Sequence, residues 1–310
     1  MKIVFFGSPA SALPSFKKLL EAGHQIELVI AQPDKPRGRG KKLALPPVKS
    51  LAQGLNIPCF QPPKIRKDPL AVQKIKNIMP DLIVVVAYGQ IIPDSIIYLP
   101  RYNSINLHFS LLPKYRGASP VQWALLNGEE KTGLTIFQLN EKMDEGDVLS
   151  QEEVKIFPGE KAFELEARLA EIGAELLLRT ISQIDKIEPR KQNHAQATYA
   201  LKLKKEDGRI DWTKDAIFID RQVRAFNPWP STFAFLDEKR IKIHEGKDKG
   251  KLSHLSSPGK ILGVSREGIE VCCGGRTSYL IQRIQPENKK EMDAYAFSHG
   301  AVIKTGDTFA

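Results

Sequence analysis

Three short apolar runs, separated by stretches of helical periodicity, restrict this chain more than any other feature of its sequence. They occupy residues 3–6, 26–31 and 81–87, and none of them alternates polar with apolar side chains. A strand that is apolar on both faces has to be covered on both. Strands of that kind alternating with helices form a parallel sheet between two helical layers. After the first run, Leu13, Phe16, Leu19 and Leu20 recur at helical spacing, with Ser8 placed to cap the helix and Pro9 to open its first turn. A longer amphipathic stretch covers residues 160–184. The first part of the chain is therefore expected to be α/β.

Beyond it the pattern changes. Residues 188–196 are polar and aperiodic, so we expect a first domain over 1–187, a linker over 188–207 and a second domain over 208–310. In the second domain, runs at 232–236 and 239–244 flank Asp237 and Glu238, and runs at 259–265 and 269–273 flank Arg266, Glu267 and Gly268. Short strands joined by tight turns predict a small β-barrel or sandwich.

Composition removes several function classes. With 42% hydrophobic and 26% charged residues, the 310-residue chain is neither disordered throughout, nor collagen-like, nor a coiled coil. Lys and Arg total 46 against 36 Asp and Glu, and the net charge of +10 favours a polyanionic partner, with nucleic acid and an anionic membrane surface both open. No window approaches the roughly 18 apolar residues of a membrane span, and the apolar start is too short for a signal segment, so a cytoplasmic protein is expected. Cys59, Cys272 and Cys273 suggest free thiols, and the six histidines never fall at ligand spacing, so no metal is expected. Gly7 lacks the second and third glycines of a dinucleotide fingerprint, which argues against a nicotinamide or flavin.

Chemistry is first suggested by residues 104–113. On an extended strand Asn106, His108 and Ser110 share one face, and Ile105, Leu107 and Phe109 share the other. Such a polar row is either a binding row at the carboxyl edge of the sheet or a satisfied core histidine with two turn-supporting neighbours. The segment Met143-Asp144-Glu145-Gly146-Asp147 reads by itself as a solvated turn. Beside Asn106 and His108, however, Asp144 completes a set of hydrogen-bond donor, imidazole and carboxylate. No serine or cysteine lies in nucleophile-elbow context, which leaves direct transfer between two bound substrates. The loop from Asp34 to Lys42 carries five basic residues and two glycines, and reads either as a solvated face or, by preference, as a segment that orders on RNA phosphates.

In this order the pieces resemble the methionyl-tRNA formyltransferases over nearly the whole chain. The likeness rests on Gly7-Ser8-Pro9, Gln32-Pro33-Asp34, Arg37-Gly38-Arg39-Gly40-Lys41-Lys42, Val86-Ala87-Tyr88-Gly89 and the block from Asn106 to Pro113. It continues through Tyr115-Arg116-Gly117-Ala118-Ser119-Pro120, Asp144-Glu145-Gly146-Asp147, Ile210-Asp211-Trp212 and Arg224-Ala225-Phe226-Asn227-Pro228-Trp229-Pro230. The resemblance implies a Rossmann-like parallel-sheet formyltransferase domain followed by a small C-terminal barrel resembling an oligonucleotide-binding fold. It also implies transfer of a formyl group from 10-formyltetrahydrofolate to the α-amine of methionine on initiator tRNA.

By the same resemblance Asn106, His108 and Asp144 are catalytic. The folate region would comprise Val86, Ala87, Tyr88, Gly89 and Gln90, then Ser110, Leu111, Leu112 and Pro113, and finally Leu139, Asn140, Met143 and Glu145. Lys35, Arg37, Arg39, Lys41 and Lys42 would meet the tRNA acceptor arm. Ser8, Ser11, Phe109, Met143 and Glu145 depart from the residues usual in that family, and strand alternation turns Phe109 away from the catalytic face. A monomer is expected. Rival readings keep the site but use water, a purine precursor or an amino sugar as acceptor, or retain the scaffold as a non-catalytic RNA-binding protein.

Overall fold

The computed structural model describes residues 1–37, 42–301 and 303–310, which divide into two compact units. The first comprises Met1–Pro120, Lys131–Ile156 and Glu166–Leu201, and the second Val121–Glu130, Phe157–Leu165 and Lys202–Ala310. Residues 188–201, aperiodic in sequence, are part of the first unit.

The first unit is built on strands β1 (Lys2–Gly7), β2 (Gln25–Ile30), β3 (Lys35–Arg37), β4 (Lys42–Ala44), β5 (Cys59–Phe60), β6 (Leu82–Val86), β7 (Ser104–His108), β8 (Arg116–Gly117), β9 (Lys131–Gln138), β10 (Val148–Lys155) and β11 (Tyr199–Ala200). Seven of them form one sheet in the order β10-β9-β7-β6-β1-β2-β5. From β7 to β5 it is parallel, and β9 and β10 extend it antiparallel. Its helices are α1 (Leu13–Glu21), α2 (Pro47–Gly54), α3 (Pro69–Ile78) and α4 (Asp94–Ile97), with α5 (Pro120–Leu126) and α6 (Ala162–Ser182) following in the chain.

Both faces of the sheet are covered, as its apolar strands require. Val4, Phe6, Leu28, Ile30, Ile83 and Val85 pack with Ala71 and Ile75 of α3 and Ile96 and Ile97 of α4. The alternate residues point the other way. Phe5 meets Phe16 of α1 edge to face at 5.1 Å, a geometry contributing about 0.5–1.5 kcal/mol beyond burial alone. On the same face Gly173 brings α6 so close to β7 that a Cβ there would lie 2.8 Å from Leu107 Cδ2.

The start of α1 differs from the sequence expectation. A 3-10 turn at Ala10–Ala12 follows β1, and α1 begins at Leu13 with Pro14 in its first turn. Ser8 caps nothing: its hydroxyl accepts from the Gln32 N–H at 2.9 Å, tying the ends of β1 and β2 together.

The second unit holds β12 (Thr232–Leu236), β13 (Lys239–Lys251), β14 (Ile261–Ser265), β15 (Gly268–Cys273), β16 (Thr277–Pro286) and β17 (Met292–Asp293), with α7 (Ala216–Ala225) and α8 (Ala294–Ala301). Its sheet, in the order β12-β13-β16-β15-β14, is antiparallel throughout. Asp237 and Glu238 both adopt positive φ, +47° and +62°, and close the β12–β13 hairpin at the Leu236–Lys239 pair, as the sequence predicted. Trp212, Ile219, Val223, Ile241, Ile243, Val271, Tyr279 and Phe309 fill the core. Cys272 and Cys273 are buried free thiols, and burial pushes the Cys273 thiol up to about 12. Among the described residues no helix is long and apolar enough to cross a membrane.

Candidate active site

Strand β7 lies between β6 and β9, with Asn106 opposite Val85 on one side and His108 opposite Thr135 on the other. Asn106 is half-buried, and its carboxamide makes no hydrogen bond among the described residues. His108 is buried at 6% exposure, and its Nε2 lies 2.9 Å from the Tyr115 carbonyl oxygen. A carbonyl only accepts, so Nε2 carries the proton and Nδ1 is the nitrogen left for chemistry. Nδ1 faces Asp144 Oδ2 at 3.8 Å, too long for a hydrogen bond but close enough for the charge to be felt. The same oxygen accepts the Gly117 N–H at 2.8 Å. Asp144, distant in the chain, thus meets His108 at the carboxyl end of β7, the strand that also carries Asn106. Tyr115, rather than Asp144, is the group bonded to the imidazole.

Ser110 does not continue the row. The strand stops at His108, the Ser110 hydroxyl donates to the Lys114 carbonyl at 2.6 Å, and its own carbonyl accepts from Thr135 Oγ1. Thr135 in turn accepts the Leu112 N–H, and Gln151 donates to the Leu112 carbonyl, which stitches residues 110–112 onto β9 and β10. Leu111 packs over Gly133, and the Pro113 carbonyl accepts from Thr198 N–H. Phe109 is buried, though outside the strand that was expected to orient it.

After β6 the backbone alternates. Ala87 and Gly89 are exposed at positive φ, +49° and +76°, whereas Val86 and Tyr88 are buried. The Tyr88 ring packs edge to face on Phe6 at 5.1 Å, its hydroxyl has no partner among the described residues, and burial pushes the phenol well above its usual range. Its carbonyl accepts from Gln32 Nε2 at 2.7 Å. Gln90 bonds backwards to the Ile65 N–H and the Pro62 carbonyl.

The loop between β9 and β10 carries Asp144. Leu139 packs on the core beneath it and donates its N–H to the Ser104 carbonyl. Asn140 accepts from the Lys142 N–H, and the Tyr98 hydroxyl donates to Glu141 at 2.7 Å, which raises that phenol to about 12. Met143 is exposed, while Glu145 turns its carboxylate to Arg116 at 3.2 Å.

Sequence reasoning assigned no role to Arg116 or Gln192. Arg116 is fully buried and donates from Nε and Nη2 to Gln192 Oε1 at 3.2 and 2.7 Å, and from Nη2 to His194 Nδ1 at 3.0 Å. Gln192 Nε2 donates to the carbonyls of Asp144 and Gly146 at 2.9 and 2.7 Å. No local pattern marks these residues. The nearest signal was an arginine inside a motif matched to the family, with no partner in its own neighbourhood.

Comparison with known proteins bears directly on this arrangement. The family described as formyl transferase matches residues 1–181, and the formyl transferase C-terminal domain matches residues 202–302. The chain is 44% identical to the methionyl-tRNA formyltransferase of Geobacter sulfurreducens, over 99% of this chain and 96% of that protein. It is 42% identical to the enzyme of the same description from Clostridium perfringens, over 99% of both. The chain belongs to the methionyl-tRNA formyltransferase family.

It is accordingly a formyltransferase, and solved structures similar to it share the fold. The Helicobacter canadensis N-formyltransferase, in complex with folinic acid and dTDP-3-aminofucose, superposes with TM-score 0.67 at 19% identity, over 91% of this chain and 99% of that one. HypX from Aquifex aeolicus, in complex with tetrahydrofolic acid, gives 0.66 at 18% identity over all of this chain, which spans half the length of HypX. Of the basic loop that resembles this family's, β3 and β4 form the paired root. Lys35 there donates to Gln32 Oε1 at 2.7 Å. Arg39 and Lys41, like the side chains of Arg37 and Lys42, lie outside the described residues. At the base, Asp34 accepts from Lys49 at 2.8 and 2.9 Å and from Gln61 at 2.8 Å, and these bonds, that of Lys49 foremost, hold its carboxyl below the usual range.

Proposed function

We propose that this formyltransferase moves the formyl group of 10-formyltetrahydrofolate to the α-amine of methionine esterified to initiator tRNA, in service of translation initiation. The observation that carries the reading is the approach of His108 Nδ1 to Asp144 at 3.8 Å, on the face of β7 where the Asn106 carboxamide has no partner among the described residues. Family membership over the whole length, in proteins named for methionyl-tRNA, supports this acceptor over the amino sugars of more distant structures.

The attacking amine must be neutral, and an ordinary α-amino group, with a pKa of about 8, supplies enough of that form near neutrality. Attack on the formyl carbon builds an oxyanion, to which the Asn106 amide N–H donates. His108 cannot use Nε2, which the Tyr115 carbonyl holds. Nδ1 takes the amine proton instead, 3.8 Å from the Asp144 carboxylate, which balances the charge, and the proton then passes to the departing folate nitrogen. The donor's heterocycle has exposed backbone at Ala87 and Gly89 to read, while Lys35, Arg37, Arg39, Lys41 and Lys42 take the acceptor arm by its phosphates. On this reading the antiparallel second unit closes as an oligonucleotide-binding-like barrel that holds the rest of that arm.

The test is to supply 10-formyltetrahydrofolate with charged initiator tRNA, charged elongator tRNA, a dTDP-amino sugar or water alone, and to follow the formyl group. Formyl-methionine on initiator tRNA, with affinity falling steeply as salt rises, is expected. Transfer only to the amino sugar or to water would overturn the choice of acceptor.

A further inference from the structure

The Asp144 loop has no regular hydrogen-bonding ladder to fix it, and its backbone is strained: Asp144 sits at φ +55°, in the left-handed region that a non-glycine residue seldom adopts. Something must hold it there, and the contacts converge on one side chain. Gln192 is buried and uses its full set of bonding groups. Its two N–H groups go to the carbonyls on either side of Glu145, and its oxygen receives two N–H groups of Arg116. Arg116 also pairs with Glu145 and precedes Gly117, whose N–H fixes the Asp144 oxygen nearest His108. The two residues therefore grip the loop by its backbone, by Glu145 and by the functional carboxylate.

We propose that Gln192, itself fixed by Arg116, is a positioning residue that sets the distance between Asp144 and His108. The inference rests on the catalytic role given to Asp144 above. Gln192 touches neither His108 nor the Asp144 carboxylate. It acts through the loop backbone, and a carboxylate allowed to relax by an ångström would no longer face Nδ1 in the geometry that proton transfer requires.

The decisive variant is Gln192→Glu. It keeps the length of the side chain and its bonds from Arg116, but a carboxylate has no N–H for the carbonyls of Asp144 and Gly146. We expect kcat to fall about 100-fold while KM for the formyl donor is unchanged. Combining it with Asp144→Asn should lower kcat no further than Asp144→Asn alone, because a displaced and an absent carboxylate are equivalent. Gln192→Met, neutral and similar in volume, is measured alongside, with kcat normalised to the folded fraction, so that loss of fold is not mistaken for loss of function. Full kcat in both Gln192 variants, or losses that multiply in the double variant, would overturn the proposal and leave the site reading intact. Wild-type turnover in Asp144→Asn would overturn both.

Discussion

Strand β7 presents Asn106 and His108 from inside a sheet whose ladders on both sides fix its register, whereas the loop after β9 presents Asp144 through a left-handed backbone and side chains borrowed from elsewhere in the chain. A strand in the middle of a sheet cannot shift by one residue without turning its apolar side chains to the wrong face. Asn106 and His108 are therefore placed by the same bonds that stabilise the fold. Asp144 has no such guarantee: its position depends on the buried Arg116 and its partners, an arrangement in which removing one member of the ion pair costs about 3–5 kcal/mol. On the mechanism proposed above, this is a division of labour, in which the strand fixes where chemistry occurs and the loop sets whether it runs.

The largest expected effects test whether both halves are needed. His108→Ala and Asp144→Ala should each lower turnover by roughly 100- to 10,000-fold, the range for positioned proton transfer, with binding of the formyl donor retained. Single-turnover formylation and equilibrium titration of the donor separate these quantities. Near-normal turnover in either variant would remove that residue from the mechanism. Asn106→Ala follows, with a loss of roughly 100- to 1,000-fold in kcat, as for removal of one oxyanion donor. A change confined to KM would show that Asn106 merely binds.

A smaller effect probes the loop alone. A Cβ on Gly146 would fall 1.6 Å from the Gln138 carbonyl oxygen, a backbone atom that cannot swing aside. Gly146→Ala should therefore push the Asp144 segment off β9, destabilising by about 1–3 kcal/mol and lowering kcat beyond what the lost stability explains. Gly263→Ala in β14, where a Cβ meets nothing within 4 Å, is the control and should leave the thermal midpoint nearly unchanged. Equal behaviour of the two variants would dissolve the contrast between strand and loop.

The same contrast explains what the sequence disclosed. Period-two alternation is a property of strands, so the shared face of Asn106 and His108 and the apolar backing of Ile105 and Leu107 were legible, as were the β12–β13 hairpin and the two helix-covered faces of the sheet. Alternation does not reach Ser110, because strand pairing ends at His108 and the chain turns to bond Lys114 and Thr135. Ser8 departs from expectation for a related reason: a hydroxyl that suits a helix cap is engaged between two strands instead. The grip on Asp144 was illegible because Gln192 lies in a segment whose polarity resembles that of a free linker. Its partners are chosen by tertiary contact, and no local pattern records them.

The smallest expected effect concerns Tyr88, which sequence resemblance placed in the folate region. Its ring is buried against Phe6 among Val4, Ile83 and Val85, so only its backbone faces the end of the sheet. The hydroxyl is buried with no partner among the described residues, an unfavourable state that folding imposes and that a phenyl ring would relieve. Tyr88→Phe should raise stability by about 1 kcal/mol, seen as a rise of roughly 2–4 °C in the thermal midpoint, and leave KM for the formyl donor untouched. If KM rises while stability is unchanged, the hydroxyl serves the bound donor. The segment after β6 would then resemble the Asp144 loop, placed for function at the expense of the core.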